Sequence, residues 1–139
     1  YSPIKKGKSR SRVDIEFVRT SSLPRPCFRF EAKRFYDSHS VAEYVGPDGM
    51  GCFLTGTYAQ GHPDAGMLGY VQKRTPSAWI TAVMKKLGKN PSAYCILPGA
   101  TPGVAISWGP EVDLKFCYCS SHSRSGEKFD LFHVFLIFC

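Results

Sequence analysis

Two stretches of the chain alternate between apolar and polar residues with the two-residue period of a β-strand. The first covers residues 12–19, and its apolar set is Val13, Ile15 and Phe17. The second covers residues 27–35, and its apolar set is Phe28, Phe30 and Ala32. Each predicted strand therefore has an apolar face and a polar face, and pairing of the two would bring their polar faces together.

Helical periodicity is clearest after Thr75, which is a good N-cap residue and is followed by Pro76 at the first helical position. Apolar residues then recur at helical spacing until Gly88 ends the segment: Trp79, Ile80, Val83, Met84 and Leu87. A short helix is predicted over residues 40–44, before the sequence Gly46-Pro47-Asp48-Gly49. Residues 50–62 favour a second helix that tolerates glycine.

The remaining apolar runs predict more strands. Residues 66–72 read as a short buried strand, residues 104–108 and 112–119 as two more, and residues 129–138 as the last. A polar turn is expected over residues 120–128. The order of elements predicts an α/β domain with a mixed central sheet flanked by helices and a C-terminal β-pair.

The charge balance favours a polyanionic partner. Lys and Arg total 18 against 11 acidic residues, a formal net charge of +7, and nucleic acid is the commonest partner of such proteins. Residues 1–12 form a basic arm, separate from the domain at residues 13–139, and its cations are expected to contact nucleic acid: Lys5, Lys6, Lys8, Arg10 and Arg12. A solvated arm without a ligand is the alternative.

The six cysteines are scattered through apolar segments, which favours buried thiols in a reducing compartment, and the cytoplasm is therefore expected. A secreted, disulfide-stabilised domain is the less favoured alternative. Zinc binding by Cys117, Cys119 and His122, with His133 and Cys139 as further ligands, is also disfavoured, because the spacing does not match a Cys-X₂-Cys knuckle. No apolar run approaches the length of a membrane-spanning helix, so no membrane partner is expected.

The polar faces of the first two predicted strands concentrate charged groups. Asp14 and Glu16 share the face of the first, and Arg29, Glu31 and Lys33 share the face of the second. If the strands pair, an Asp, a Glu and a Lys converge. Two carboxylates can hold a hard divalent cation such as Mg²⁺ or Mn²⁺ through oxygen ligands, which indicates a metal-dependent phosphodiesterase.

The same residues carry a family resemblance. Asp14, a spacer with two prolines, and the triplet Glu31-Ala32-Lys33 resemble the PD-(D/E)XK nuclease superfamily, which has the restriction-endonuclease-like fold. The resemblance implies that Asp14 and Glu31 ligate Mg²⁺, that the Ala32 carbonyl completes the inner shell and that Lys33 positions the attacking water. It also implies that the substrate is DNA, with RNA as the other option. Membership in a larger protein or a homo-oligomer stays open.

Four further residues are predicted to contact nucleic acid. Arg29 shares the polar face with Glu31, and Gln72 ends a strand expected to lie beside it. His122 and Arg124 lie in the predicted polar turn, where an imidazole and a guanidinium could clamp one phosphate. His133 lies in an apolar run and is interpreted as a core histidine. The competing function is a non-catalytic, basic nucleic-acid-binding module in which Glu31 and Lys33 form only a surface ion pair.

Overall fold

The computed structural model describes residues 15–18, 27–56, 59, 61–106 and 115–137. The basic arm at residues 1–12 and the predicted metal ligand Asp14 lie outside this part of the chain. None of the helices in the described ranges is long and apolar enough to cross a membrane.

The described strands form one mixed six-stranded sheet with the order β1-β2-β3-β6-β5-β4. Their bounds are Ile15–Val18 for β1, Cys27–Phe35 for β2, Asp64–Val71 for β3, Val104–Ala105 for β4, Cys117–Arg124 for β5 and Glu127–Ile137 for β6. The three central strands β2, β3 and β6 are parallel, and the other pairs are antiparallel. The α/β class, the mixed sheet and the C-terminal β-pair predicted from the sequence are confirmed.

Helices make the crossovers that parallel strands require. Between β2 and β3 the chain forms α1 at Ser40–Val45 and α2 at Met50–Leu54. After β3 come α3 at Pro76–Lys89 and a short 3₁₀ helix at Pro91–Tyr94. Of the helix predicted over residues 50–62, only the first turn, Met50–Leu54, is helical. The chain turns at Gly56, whose φ of 78° suits glycine.

Helix α3 begins where its sequence predicts. The Thr75 hydroxyl accepts a hydrogen bond from the Ala78 N–H at 3.2 Å, and Pro76 occupies the first turn, where its missing N–H costs nothing. The buried face consists of Pro76, Trp79, Ile80, Val83 and Leu87. At the start of the helix, the Trp79 indole N–H donates to the Lys73 carbonyl at 2.6 Å, which ties the helix to the loop after β3.

The core is centred on Phe35, the last residue of β2, which is fully buried. Its ring lies 5.0 Å from the ring of Tyr44, 5.1 Å from that of Trp79 and 5.5 Å from that of Phe135. These partners come from α1, α3 and β6, so one side chain joins both helices to the sheet. Aromatic pairs at such separations contribute beyond their buried area.

The core packs on a different face of β2 from the one that its apolar alternation suggested. Side chains alternate along a strand, so Phe35 shares its face with Lys33 and Glu31, and this face meets the helices. Phe28 and Phe30 lie on the opposite face, where Phe28 is 6.1 Å from the ring of Phe132. Both faces of β2 carry aromatic residues, and the alternation could not distinguish between them.

The predicted turn over residues 120–128 is wrong. Strand β5 continues to Arg124, and only Ser125 and Gly126 form the turn, with φ values of 52° and 80°. Two consecutive residues with positive φ are the geometry of a tight hairpin whose twist matches its strands. The polar residues just before the turn belong to β5, and several of their side chains form hydrogen bonds with residues distant in the sequence.

Truncation of Phe35 should test the centre of the core. Phe35→Ala is expected to lower the free energy of unfolding by about 3–5 kcal/mol, because it removes a buried ring that three other rings contact. Val104→Ala, at a side chain that is 55 % exposed, should cost less than about 0.5 kcal/mol. Urea denaturation measures both. Similar small losses in the two variants would contradict this view of the core.

Candidate functional site

Glu31 and Lys33 form an ion pair on one face of β2. The Lys33 Nζ lies 3.4 Å from Oε1 of Glu31. The Glu31 side chain is 8 % exposed and that of Lys33 is 24 % exposed. The carboxylate is therefore largely enclosed, whereas the ammonium group reaches the surface.

A groove of about 500 Å³ opens beside Lys33. Its lining consists of Lys33, His39, Ala42, Glu43, Gly46, Pro47 and Asp48. The turn between α1 and α2 forms one wall, and it depends on glycine, because a Cβ at Gly49 would lie 2.2 Å from the Tyr44 carbonyl oxygen. The ion pair can thus be approached from solvent through a groove of mixed charge.

Cys52 of α2 belongs to the same region. Its thiol donates to the Pro47 carbonyl at 3.1 Å. Burial raises the pKa of the Cys52 thiol, and the negative charges of Glu31 and Asp48 raise it further. Cys52 is therefore held as a neutral thiol and is a weak nucleophile.

Strand β1 runs antiparallel to β2, as the pairing of their residues shows. Ile15 pairs with Phe30, and Glu16 pairs with Arg29. The predicted pairing of the two strands is confirmed. Arg29 is partly exposed and precedes Glu31 by two residues, so the two share a face of β2, as predicted.

The donors in this region suit a hard cation only in part. Within the described ranges, no group of three or more His, Cys, Asp or Glu side chains is arranged to hold a metal ion. The Glu31 carboxylate and a backbone carbonyl such as that of Ala32 are the oxygen donors that Mg²⁺ prefers. A second carboxylate would have to come from a residue such as Asp14, outside the described part.

A second cluster, which we call the buried relay, links β5, β6 and α1 through four short hydrogen bonds. Its members are the Tyr94 carbonyl, His122, Ser120, His133 and the Tyr44 hydroxyl. Successive atoms are 2.6, 2.7, 2.7 and 2.7 Å apart. All four side chains are fully buried.

With both imidazoles neutral, the form that burial favours, the carbonyl at one end fixes the direction of every bond in the relay. Because the Tyr94 carbonyl only accepts, His122 Nδ1 carries a hydrogen and its Nε2 accepts from the Ser120 hydroxyl. The Ser120 oxygen then accepts from His133 Nε2–H, and His133 Nδ1 accepts from the Tyr44 hydroxyl. Burial lowers the pKa of His122, and burial together with His122 lowers the pKa of His133 to about 3.

The positions of His122 and His133 in the relay test the predictions made for these two residues. His133 is a hydrogen-bonded core histidine, and that prediction is confirmed. The prediction that His122 lies in an exposed turn and contacts phosphate is wrong, because its side chain is fully enclosed in β5 and both ring nitrogens are engaged. The hydroxyls that bind these rings come from Ser120 and Tyr44. No local sequence pattern predicts these two residues as partners of the histidines.

Arg124 is partly buried and holds the loop before β3. Its guanidinium donates to the carbonyls of Phe53, Ala59 and His62 at 3.0, 2.9 and 2.7 Å, and lies 3.8 Å from the centre of the Phe129 ring. Burial lowers the pKa of the guanidinium. In this geometry Arg124 fixes the loop. The prediction that Arg124 and His122 bind one phosphate together is wrong, because the His122 side chain is buried.

Gln72 follows β3 and lies at the far end of β2 from Glu31. Its N–H donates to the Phe35 carbonyl at 3.1 Å, whereas Glu31 pairs with Met67, five residues earlier. Five strand residues span roughly 17 Å, so Gln72 cannot touch a water bound at Glu31. A contact with nucleic acid stays a prediction.

The arrangement of the described cysteines does not support zinc. Cys52, Cys95, Cys117 and Cys119 form no disulfide. Cys119 and His122 are three residues apart on β5 and therefore point to opposite faces of the sheet.

Comparison of the chain with protein-family models, with curated proteins and with solved structures found no match.

Removal of one hydroxyl should reveal the contribution of the relay. Tyr44→Phe leaves the His133 Nδ1 acceptor buried without its donor, so the free energy of unfolding should fall by about 1–3 kcal/mol. Tyr94→Phe is the matched control, because Tyr94 enters the relay only through its backbone carbonyl. Chemical denaturation of both variants gives the comparison. Equal effects would mean that the Tyr44 hydroxyl is not specifically required.

The relay also predicts acid sensitivity. Because the folded pKa of His133 is about 3, below the ordinary value near 6.5, the unfolded chain binds a proton that the folded chain excludes. Stability is therefore fully present above about pH 6.5 and falls on acidification towards pH 3, by about 1.4 kcal/mol per pH unit for one such histidine. Urea titrations from neutral to mildly acid pH should show this slope, and His133→Gln should reduce it. An unchanged slope in that variant would assign the acid sensitivity to other groups.

Proposed function

We propose that this chain is a metal-dependent nuclease domain with a restriction-endonuclease-like core that hydrolyses phosphodiester bonds in DNA. The observation that carries the proposal is the placement of Glu31 and Lys33. Their side chains share one strand face and are 3.4 Å apart, and Lys33 opens onto the groove beside α1.

The local topology around β2 supports this proposal. An antiparallel partner precedes β2, two short helices follow it, and β3 then pairs with it in parallel. A Glu-X-Lys strand followed by a helix and a further strand is the arrangement expected from the resemblance. The likeness concerns β1, β2, β3 and the helices between β2 and β3.

Asp14 is the proposed second metal ligand. It directly precedes Ile15, which pairs with Phe30, and Phe30 directly precedes Glu31. Continuation of this register by one residue would place Asp14 opposite Glu31. Asp14, Glu31 and the Ala32 carbonyl would then hold Mg²⁺ or Mn²⁺. When bound, such a cation would stabilise negative charge on the phosphate and favour ionisation of a bound water.

Lys33 and Arg29 would act on the water and the phosphate. Glu31 holds the Lys33 ammonium group at the mouth of the groove, where it can donate a hydrogen bond to the attacking water and keep it in place. Arg29 would contact a neighbouring phosphate from the same face of β2. The basic arm and Gln72 would add contacts along the backbone of the substrate.

The alternative function, a non-catalytic basic nucleic-acid-binding module, is favoured by one observation. Glu31 already makes a contact with Lys33, and the described residues supply no complete set of three metal-binding side chains. In that case Glu31 and Lys33 would only stabilise the fold, and binding would need no divalent cation.

Cleavage assays with a matched pair of ion-pair variants separate the two functions. Glu31→Gln and Lys33→Met should each reduce Mg²⁺- or Mn²⁺-dependent cleavage of DNA at least about 100-fold, because they remove a metal ligand and a group that positions water. Lys128 and Asp130 provide the control. They are also two residues apart on a strand and form an ion pair at 3.8 Å, but on β6.

Lys128→Met and Asp130→Asn should leave cleavage within about twofold of the wild type, since surface ion pairs contribute little. Thermal denaturation of all four variants should verify that each is folded. Addition of Mn²⁺ should raise the melting temperature of the wild type but not of Glu31→Gln. Absence of cleavage, with no effect of Mn²⁺ on melting, would favour the binding module.

A further inference from the structure

The carboxyl ends of β2 and β3 bring two loops together. The Phe35 carbonyl accepts the backbone N–H groups of Gln72 and Lys73 at 3.1 and 3.4 Å. Tyr36 and Lys73 therefore leave the sheet beside each other. In open α/β sheets, ligands bind preferentially outside the carboxyl ends of parallel strands.

An exposed aromatic ring lies at this point. Tyr36 is 36 % exposed, and the Arg34 guanidinium lies over its ring, 4.9 Å from the centroid. The contact covers part of the ring and holds the cation close to it. This pairing of a ring with a guanidinium offers both a stacking surface and a positive charge.

The adjoining loop presents two more cations in a fixed conformation. Arg74 has a φ of 64°, which is unfavourable for a residue with a Cβ. Its guanidinium lies 4.9 Å from the centroid of the Trp79 ring, while the indole N–H of Trp79 holds the Lys73 carbonyl at 2.6 Å. The loop is thus attached to the first turn of α3.

The charge at this surface is positive overall, because three exposed cations, Arg34, Lys73 and Arg74, outnumber the one carboxylate next to Tyr36, that of Asp37. The ion pairs of Glu31 with Lys33 and of Lys128 with Asp130 do not involve these cations. The Asp37 carboxylate keeps its charge, and its Oδ1 accepts the His39 N–H at 2.9 Å and the Ser40 hydroxyl at 3.2 Å.

We propose that this surface, which we call the strand-end platform and which consists of Arg34, Tyr36, Lys73 and Arg74, binds a single-stranded segment of nucleic acid. A base would stack on the exposed part of the Tyr36 ring while the three cations contact the flanking phosphates. A duplex hides its base faces except at its ends, so an exposed ring favours an unpaired strand. The inference rests on the proposed function, since it takes nucleic acid as the substrate.

The platform lies apart from the proposed catalytic pair. Tyr36 follows Glu31 by five residues, which is roughly 17 Å along the chain, and Arg34, which directly follows Lys33, lies on the opposite face of β2. A strand bound at the platform would be held away from the scissile bond, so the platform would select unpaired substrate without taking part in the reaction.

Fluorescence anisotropy with a labelled oligothymidine in EDTA tests binding without cleavage. The triple variant Arg34→Gln/Lys73→Gln/Arg74→Gln should bind at least about tenfold more weakly and show a smaller salt dependence, because three phosphate contacts are lost. The control is Lys85→Gln/Lys86→Gln/Lys89→Gln, which removes the same charge from the last turns of α3. It should change the dissociation constant by no more than about threefold.

The ring is tested separately from the charge. Tyr36→Ala should weaken binding about tenfold, and Tyr36→Phe should retain most of it, because stacking needs the ring and not the hydroxyl. Equal losses in the two triple variants, no effect of Tyr36→Ala, or tighter binding of a duplex of the same length would each overturn the proposal.

Failure of the platform and failure of the nuclease can be distinguished. Asp130→Asn, which changes a carboxylate on β6 outside both the catalytic pair and the platform, should bind oligothymidine like the wild type. Platform-dependent binding without any cleavage would contradict only the nuclease proposal. Metal-dependent cleavage with no loss of binding in the platform variants would contradict only the platform.

Discussion

The structure depends on the register between β2 and β3. Phe35 pairs with Val71, and Glu31 pairs with Met67. Because one face of β2 carries Phe35, Lys33 and Glu31, the burial of Phe35 against both helices fixes the position of the ion pair as well. A shift of one residue would move all three side chains to the other face. The aromatic core therefore sets the location of the candidate site, although it makes no direct contribution to its chemistry.

Tyr44 joins the core, the relay and the groove. Its ring lies 5.0 Å from the ring of Phe35, its hydroxyl bonds His133 at 2.7 Å, and its helix α1 forms one side of the groove beside Lys33. Burial keeps both imidazoles of the relay neutral, because the charged form of either ring would lose its hydration.

Much of the fold could be predicted from local pattern. Strand β2 was predicted with its observed bounds, and α3 begins at the predicted cap, because alternation and capping are local properties. The strand residues before Ser125 were missed because their sequence is polar. Ser120 and His122 are buried only because they pair with each other, with His133 and with the Tyr94 carbonyl.

Part of the candidate site was predictable because the alternation of side chains along a strand is a local property. Spacing alone placed Glu31 and Lys33 on one face, and their contact at 3.4 Å agrees with it. Which face the helices cover was not predictable, since both faces of β2 carry aromatic residues. The platform was missed because its two segments, residues 34–36 and 73–74, lie beside each other only through the parallel pairing of β2 with β3 and the bonds of Gln72 and Lys73 to Phe35.

Titration of the isotopically labelled protein with Mn²⁺, followed by NMR, is the most direct test of the central claim that the Glu31 carboxylate is a metal ligand. Paramagnetic broadening at low Mn²⁺ should begin at the amides of Glu31, Ala32 and Ile15 and should disappear in Glu31→Gln. Broadening that begins elsewhere, or that persists in Glu31→Gln, would contradict the account.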